Sequence, residues 1–360
     1  MDELIEVTKV FAEREIPKYQ SEEHYNTVPK ELWNSMAKQG LTGINISEKF
    51  NGLECKPNVC AEIYKEISKV DLGPAIFLSV HSMVSGIIER FGSEEQKKHY
   101  LPKLASGEFL AAFALTEPSA GSDASNLKTK AIKSDNLHIL SGEKCYITSA
   151  GFADVYLVFA RLDEKISAFL VDKDSEGLVI SPPEKKMGCE LSPIASLTLN
   201  NAKTKNLLNG DGYKIALSGL SGGRINIAAC ANGISESAIE LAKAHLNERS
   251  QFGEKLKNFQ GLQFILADMI MLLEASKAIT EKAALELTNK GDSRLLASAS
   301  KCFATDSCMK ITTDAVQLLG GAGYIKEYKV EKLMRDAKML QIVEGTNQIQ
   351  RMVIARGALF

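Results

Sequence analysis

The sequence predicts an α+β multidomain protein: an N-terminal helical domain, a middle β-barrel or sandwich domain and a C-terminal four-helix bundle. Three observations predict it. Residues 1–108 carry apolar positions at helical spacing. Residues 109–212 change to short β-forming runs separated by Gly, Pro, Asn and Asp. Residues 213–360 return to helical periodicity in longer segments. A chain of 360 residues, 45% hydrophobic and 24% charged, has the size and balance for several globular cores.

In the first zone, "DELIEVTKVFAEREI" spaces Leu4, Val7 and Phe11 on one helix face. Pro29 is placed to open a helix over "PKELWNSMAKQG", which Gly40 closes. "SEEQKKHYLPKLASG" starts with a capping-box pair, Ser93 and Gln96. In the second zone, "FLAAFALTEP", "LHILSGEKCYIT", "DVYLVFARL", "ISAFLVDK", "LVISPP" and "ASLTLNN" read as strands with polar turns between them. In the third, Leu262, Ile265, Leu266, Met269, Leu272 and Leu273 step by three and four, the wide stripe of a bundle helix. "SRLLASASKCFATDSCMKITTDAVQLLGG" ends on a double Gly suited to a C-cap. There is no internal repeat and no low-complexity linker.

Charge and composition narrow the function. A formal net charge of -2 gives no electrostatic reason to bind nucleic acid or an anionic membrane. The seven Cys (55, 60, 145, 189, 230, 302, 308) are odd in number and form no CxxC pair, which argues for a reducing compartment and against a disulfide framework or zinc site. The five His (24, 81, 99, 138, 245) share no ligand spacing, so no metal is expected. No uninterrupted apolar run reaches the length of a membrane span. The N-terminus is acidic and helix-like, unlike a signal or transit peptide.

Five stretches could carry chemistry. "FALTEPSAGSDASNLKTKA" (113–131) runs a strand into a turn of small residues, where backbone N–H groups and the Thr116 and Ser122 hydroxyls could meet a phosphate or a ring. An ordinary loop uses the same residues as turn formers. "GEKCYITSAGFAD" (142–154) sets Tyr146 two residues before Thr148, a ring cover and a hydrogen bonder or simply a β-core pair. "LNERSQFGEKLKNFQGLQF" puts Arg249 and Phe252 three apart, on one side of a helix end. An Arg there could grip a pyrophosphate or merely complement a helix C-terminus. "QLLGGAGY" (317–324) is not the GxGxxG fingerprint, and no βαβ pattern surrounds it. In "QIVEGTNQIQR" (341–351), Glu344 follows Ile342 and Val343 and precedes Gly345. It is a helix-opening charge or a base whose pKa an apolar setting raises.

Taken in order, "LTEPSAGSD", "GEKCYIT", "RSQFG", "QLLGGAGY", "EKLMRDAK" and "VEGTNQIQR" resemble the acyl-CoA dehydrogenase family of flavoenzymes along nearly the whole chain. The resemblance implies FAD, an acyl-CoA substrate and a homotetramer built as a dimer of dimers. It places Phe113, Leu115, Thr116 and Ser122, with Tyr146, Ile147 and Thr148, against the isoalloxazine ring. Arg249, Phe252 and Gln260, with Gln317, Gly320 and Gly321, would hold the pyrophosphate and adenosine across a dimer interface. Thr346 and Gln348 would touch FAD beside the base, and Ser122, Gly223, Arg224 and Gly345 would line the acyl-CoA path. Glu344 falls on the family's usual base. It would remove the α-proton while the β-hydrogen leaves to the flavin, giving a trans-2-enoyl-CoA and reduced FAD. Some members carry the base just before an Arg like Arg224; here that slot is Gly223, which cannot act.

The pattern departs from the family at Tyr146, often Trp, and at Ser149, often Asn. The chain also starts close to its first helix, which leaves room for a short leading segment. "GGRINIAACANG", "HLNERSQFGE" and "KCFATDSC" look most like isobutyryl-CoA and short-chain members, so a short straight or short branched acyl-CoA is expected. Electron-transferring flavoprotein is the implied acceptor. The implied compartment is the cytoplasm in a bacterium and the mitochondrial matrix in a eukaryote. Competing readings are an acyl-CoA oxidase, which would usually be longer, and a non-catalytic scaffold, which would have a lost base or a basic extension. Nitroalkane-type oxidation would favour Asp at position 344.

Overall fold

A computed structural model describes residues 2–289, 291 and 293–359. Five helices open the chain: α1 (Asp2–Glu15), α2 (Lys30–Lys38), α3 (Pro57–Val70), α4 (Leu72–Phe91) and α5 (Glu94–Ala105). On α1 the stripe is Phe11 with Thr8 and Ala12, while Val7 turns outward. Pro29 sits at the N-cap of α2, and Gly40 ends that segment in a left-handed conformation. The capping box of α5 forms in both directions: the Gln96 N–H donates to Ser93 Oγ at 3.2 Å and the Ser93 N–H to Gln96 Oε1 at 2.9 Å.

Helix α4 is the spacer of the molecule. It is apolar and long enough to cross a bilayer by length and composition, yet 83% of its most apolar window is buried inside the protein. Its His81 is fully buried. The Ala111 N–H donates to Nδ1 at 3.2 Å, and Nε2 lies 3.0 Å from the Thr42 carbonyl, so the proton belongs on Nε2. Burial pushes this imidazole down to about 4, keeping it neutral. It ties the helical domain to the first strand.

The middle of the chain forms β1 (Ala111–Ala114), β2 (Lys130–Ser134), β3 (Leu137–Thr148), β4 (Val155–Leu162), β5 (Lys165–Asp172), β6 (Leu178–Ile180), β7 (Ile194–Thr204) and β8 (Asn206–Leu207). They make one sheet in the order β6-β7-β3-β2-β4-β5-β8, with β1 also on β4. The expected barrel or sandwich is realised as a single curled sheet. Thr204 Oγ1 on β7 donates to the Leu170 carbonyl on β5 at 2.6 Å, and the His138 and Phe169 rings lie 5.3 Å apart. The continuous apolar run of β4 reflects its parallel pairing with β1 and burial on both faces.

The C-terminal part holds α6 (Gly212–Glu248), a hairpin of β9 (Ser250–Gln251) and β10 (Glu254–Lys255), then α7 (Gln260–Thr288) and α8 (Arg294–Leu319). Shorter α9 (Gly321–Tyr324), α10 (Val330–Leu340) and α11 (Asn347–Leu359) follow. Helices α6, α7 and α8 pack together, and α10 and α11 complete the bundle against α8. Helix α3 crosses α6 so closely that a Cβ on Gly233 would lie 2.2 Å from the Lys65 carbonyl oxygen. The α7 stripe buries Met269 and Leu273 and leaves Phe264, Ile270 and Met271 exposed on the other side.

All three parts meet at α10. Lys332 Nζ lies 3.1 Å from Asp71 Oδ2, at the start of α4, and 2.7 Å from Asp336 Oδ2. Asp336 Oδ1 accepts the Cys189 N–H of the β part at 2.5 Å, and Arg335 pairs with Glu190. Asp71 and Asp336 are both buried. Lys332→Met would strip both of their shared counter-charge, and breaking such a buried set costs about 3–5 kcal/mol. Denaturant unfolding should show a loss of that order; a loss under about 1 kcal/mol would mean the network is peripheral to stability.

Candidate active site

Glu344 lies in an irregular turn between α10 and α11, not in a helical first turn. Capping of α11 falls to Thr346, whose Oγ1 accepts the Ile349 N–H at 3.4 Å. Glu344 and Gly345 are both left-handed, with φ of 56° and 87°. Such a backbone persists only when its surroundings fix it. Here Gln350 Nε2 donates to the Glu344 and Gly345 carbonyls at 3.0 and 2.9 Å. Arg224 Nε, from α6, donates to the Glu344 carbonyl at 3.4 Å. Lys301 Nζ, from α8, donates to the Gly345 carbonyl at 3.0 Å and to Asn347 Oδ1 at 2.8 Å.

The turn therefore spends its backbone carbonyls on the protein and leaves the carboxylate unspent. Glu344 Oε2 is buried and has no hydrogen-bond partner. Burial pushes this carboxyl up to about 7, against the pull of Arg224 and Lys301. A group poised near neutrality can take up a proton from a weak carbon acid and release it again. Gly223 makes the room: a Cβ there would stand 2.6 Å from Glu344 Oε2. A Cβ at position 223 and the Glu344 carboxylate would thus compete for the same space.

Beside Gly223 opens a cavity of about 330 Å3 between α3, α4 and α6, lined by Tyr64, Met83, Gly219, Gly222 and Asn226 among others. Its wall is mainly apolar, with buried Ser82 Oγ lacking a hydrogen-bond partner. The cavity reaches Gly223, against which the Glu344 carboxylate stands.

A second cluster forms where β1 leaves the sheet. The Cys145 N–H donates to the Thr116 carbonyl at 3.0 Å, and Lys144 Nζ donates to the Leu115 carbonyl at 3.1 Å. This joins Phe113, Leu115 and Thr116 to Tyr146, Ile147 and Thr148. A β-bulge between Lys144 and Ile147 gives Tyr146 a φ of 58° and throws its ring into solvent, 68% exposed, while Ile147 turns inward. The loop is braced from beneath by Glu117. Its carboxylate accepts the Lys128 and Thr129 N–H groups at 2.6 and 3.0 Å and Lys144 Nζ at 2.8 Å. Ser122 stands exposed beyond that brace.

Arg249 and Phe252 need a correction. They do not share a helix end, because α6 stops at Glu248 and Arg249 is already extended. Phe252 and Gly253, both left-handed, form the tip of the β9–β10 hairpin, the backbone a Gly-containing two-residue turn favours. Phe252 is 94% exposed. Gln260 opens α7 behind it; Gln317 lies in the last turn of α8, Gly320 caps that helix and Gly321 opens α9, so the three flank the α8–α9 bend. Among the described residues no hydrogen bond links the hairpin to that bend within the chain.

Four residues that hold the turn and the loop escaped the sequence reading: Lys301, Gln350, Glu117 and Lys144. Lys301 alone left a local signal, a charge embedded among apolar and small neighbours in "LLASASKCFAT".

These surfaces suit FAD. Tyr146 offers an uncovered aromatic face beside the hydroxyls of Thr116 and Thr148. A Cβ at Gly121, Gly320 or Gly321 would meet nothing within 4 Å, so a phosphate or sugar could approach the backbone closely there. Fold and surfaces together define a three-part flavoenzyme. Family models agree: "Acyl-CoA dehydrogenase, N-terminal domain" matches residues 2–108, the middle domain 112–202 and the C-terminal domain 210–359. The chain belongs to the acyl-CoA dehydrogenase family and is an FAD-dependent oxidoreductase. It is 43% identical to an acyl-CoA dehydrogenase of Bacillus subtilis, over 96% of this chain and 94% of that one. It is 37% identical to a mitochondrial isobutyryl-CoA dehydrogenase of Dictyostelium discoideum, over 98% and 85%. Its fold matches butyryl-CoA dehydrogenase from Megasphaera elsdenii at a TM-score of 0.96 and 37% identity, over 100% and 98% of the two chains.

Proposed function

We propose that the chain dehydrogenates a short straight or short branched acyl-CoA to the trans-2-enoyl-CoA, with Glu344 as the base. The observation that carries this reading is the unpartnered, buried Glu344 Oε2 raised toward neutrality next to the Gly223 cavity. FAD, when bound, supplies the two-electron oxidation that turns the α,β single bond into a double bond. The protein does the rest by position. The Glu344 N–H polarises the thioester carbonyl, lowering the pKa of the adjacent carbon. Glu344 takes the α-proton, and Gly345 gives the thioester clearance. Arg224 keeps the carboxylate backbone in register, and Ser122 meets the pantetheine side of the path.

For the cofactor, Phe113, Leu115, Thr116, Ser122, Tyr146, Ile147 and Thr148 form the ring site, with Thr346 and Gln348 at its edge. Arg249, Phe252, Gln260, Gln317, Gly320 and Gly321 form the pyrophosphate and adenosine site. A dimer of dimers would bring the hairpin of one protomer to the bend of another. The exposed Phe252, Phe264, Met271 and Tyr324 side chains support such contacts. Electron-transferring flavoprotein is the proposed acceptor, in the cytoplasm of a bacterium or the matrix of a mitochondrion. The domain limits of 1–108, 109–212 and 213–360 are proposed as the units.

Anaerobic mixing with acyl-CoAs from butyryl to dodecanoyl, branched forms included, tests the substrate. Loss of the yellow colour should be fastest with the short straight or short branched chains, as a cavity of about 330 Å3 suggests. Fastest bleaching by the dodecanoyl chain would overturn that assignment while leaving the reaction class standing.

A further inference from the structure

Lys301 sits in the middle of α8 and is fully buried. An ammonium is costly to bury and normally brings its own counter-charge. Among the described residues its ammonium donates only to neutral oxygens of the catalytic turn, the Gly345 carbonyl and Asn347 Oδ1. That turn already has amide anchors in Gln350 and Asn347. Gln350 Nε2 reaches the Gly345 carbonyl at 2.9 Å, and Asn347 Nδ2 donates to Thr305 Oγ1 at 2.8 Å and Asp306 Oδ1 at 2.7 Å. A neutral donor at position 301 would suffice for anchoring. What it could not supply is a positive charge on the carbonyl of the residue next to Glu344.

The nearby charges sort accordingly. Asp306, on α8, is engaged by Arg351 of α11 at 2.5 Å and by Gln341 Nε2 at 2.7 Å. Cys302 is a thiol pushed up by burial and therefore neutral. Arg224, from α6, is a second cation, resting on Ser298 Oγ at 3.3 Å. Of the carboxylates that act on Lys301, Glu344 exerts the larger pull, ahead of Asp306.

We propose that Lys301 is a positioning residue for the dehydrogenation: its ammonium fixes the Gly345–Asn347 backbone that aims the Glu344 carboxylate, and its charge favours the ionised form of that carboxylate. This rests on Glu344 being the base. Burial pushes Lys301 down to about 8, against the pull of Glu344, so the lysine is still charged where Glu344 begins to ionise.

The test compares Lys301→Met, Lys301→Gln and Lys301→Arg holoenzymes with the parent. Removing an opposing charge raises a carboxylate pKa, so the acid limb of kcat/KM should move up by roughly one pH unit in Met and Gln variants. That is about a tenfold loss near pH 6 that recovers at higher pH. Lys301→Arg should keep the parental limb. The carboxyl titration of Glu344, followed by carbon-13 NMR of Glu-labelled protein without substrate, should move by the same amount. The Gln variant retains a donor and covers the case in which the Met variant does not fold. A uniform loss at every pH, with both limb and titration unmoved, would overturn the proposal. Parental activity in Glu344→Gln would instead remove the base assignment itself, a separate failure.

Discussion

Glu344→Gln is expected to lower kcat/KM by roughly 10²–10⁴-fold while keeping the fold and the yellow colour. The amide matches the carboxylate in shape, and Oε2 has no hydrogen-bond partner to lose. Arg224, Lys301 and Gln350 hold the turn through backbone carbonyls and Asn347, so they keep their bonds. The variant also makes a stability prediction of definite sign. Glu344 is raised from 4.5 to about 7 by burial. The native state therefore holds this proton more tightly than the unfolded chain. The parent protein is favoured by that term below about pH 4.5 and loses it progressively as pH rises through about 7. At pH 8 the ionised carboxylate opposes folding by at most roughly 3 kcal/mol, and the Gln variant escapes that term. Its thermal midpoint at pH 8 should equal or exceed the parent's. A lower midpoint with unchanged turnover would contradict both halves.

Gly223→Ala is expected to cost roughly 10²-fold in kcat/KM, an effect out of proportion to one methyl group. The new Cβ would meet Glu344 Oε2 at 2.6 Å, Cδ at 2.8 Å and Oε1 at 3.1 Å. These atoms are the far end of a flexible side chain, so the fold yields cheaply by moving the carboxylate. Reactivity does not, because proton removal depends on a carboxylate aimed at one carbon. Stability near the parent's with a large kinetic loss is the expected signature. Parental kinetics would mean that Glu344 works from another rotamer or is not the base.

Local signals read well from the sequence. Ser93 and Gln96 cap α5, and Pro29 and Gly40 bound α2, because each device acts within a turn or two of chain. The helix–sheet–helix order followed from period alone. The hairpin at Phe252 was misread, since a three-residue spacing suggests a helix face until Gly253 is taken as the partner of a two-residue turn. Val7 was placed inside by periodicity, although α1 packs only a narrow stripe. The partners of Lys301 and Lys332 were invisible for a deeper reason. They lie far along the chain, Gly345 for the first and Asp71 for the second, and no spacing rule connects them to the lysines. Glu344 was legible only through the resemblance. Its burial, its unpartnered oxygen and its fit over Gly223 are properties of the packed bundle.

The central claim, that Glu344 is the base, is met most directly by α-hydrogen exchange uncoupled from oxidation. Tert-butylacetyl-CoA deuterated at its α-carbon has no β-hydrogen to lose, so only proton transfer can occur. The holoenzyme should wash the deuterium into water, faster as pH rises through about 7, and the Glu344→Gln variant should not. Exchange by that variant at the parental rate would contradict the assignment.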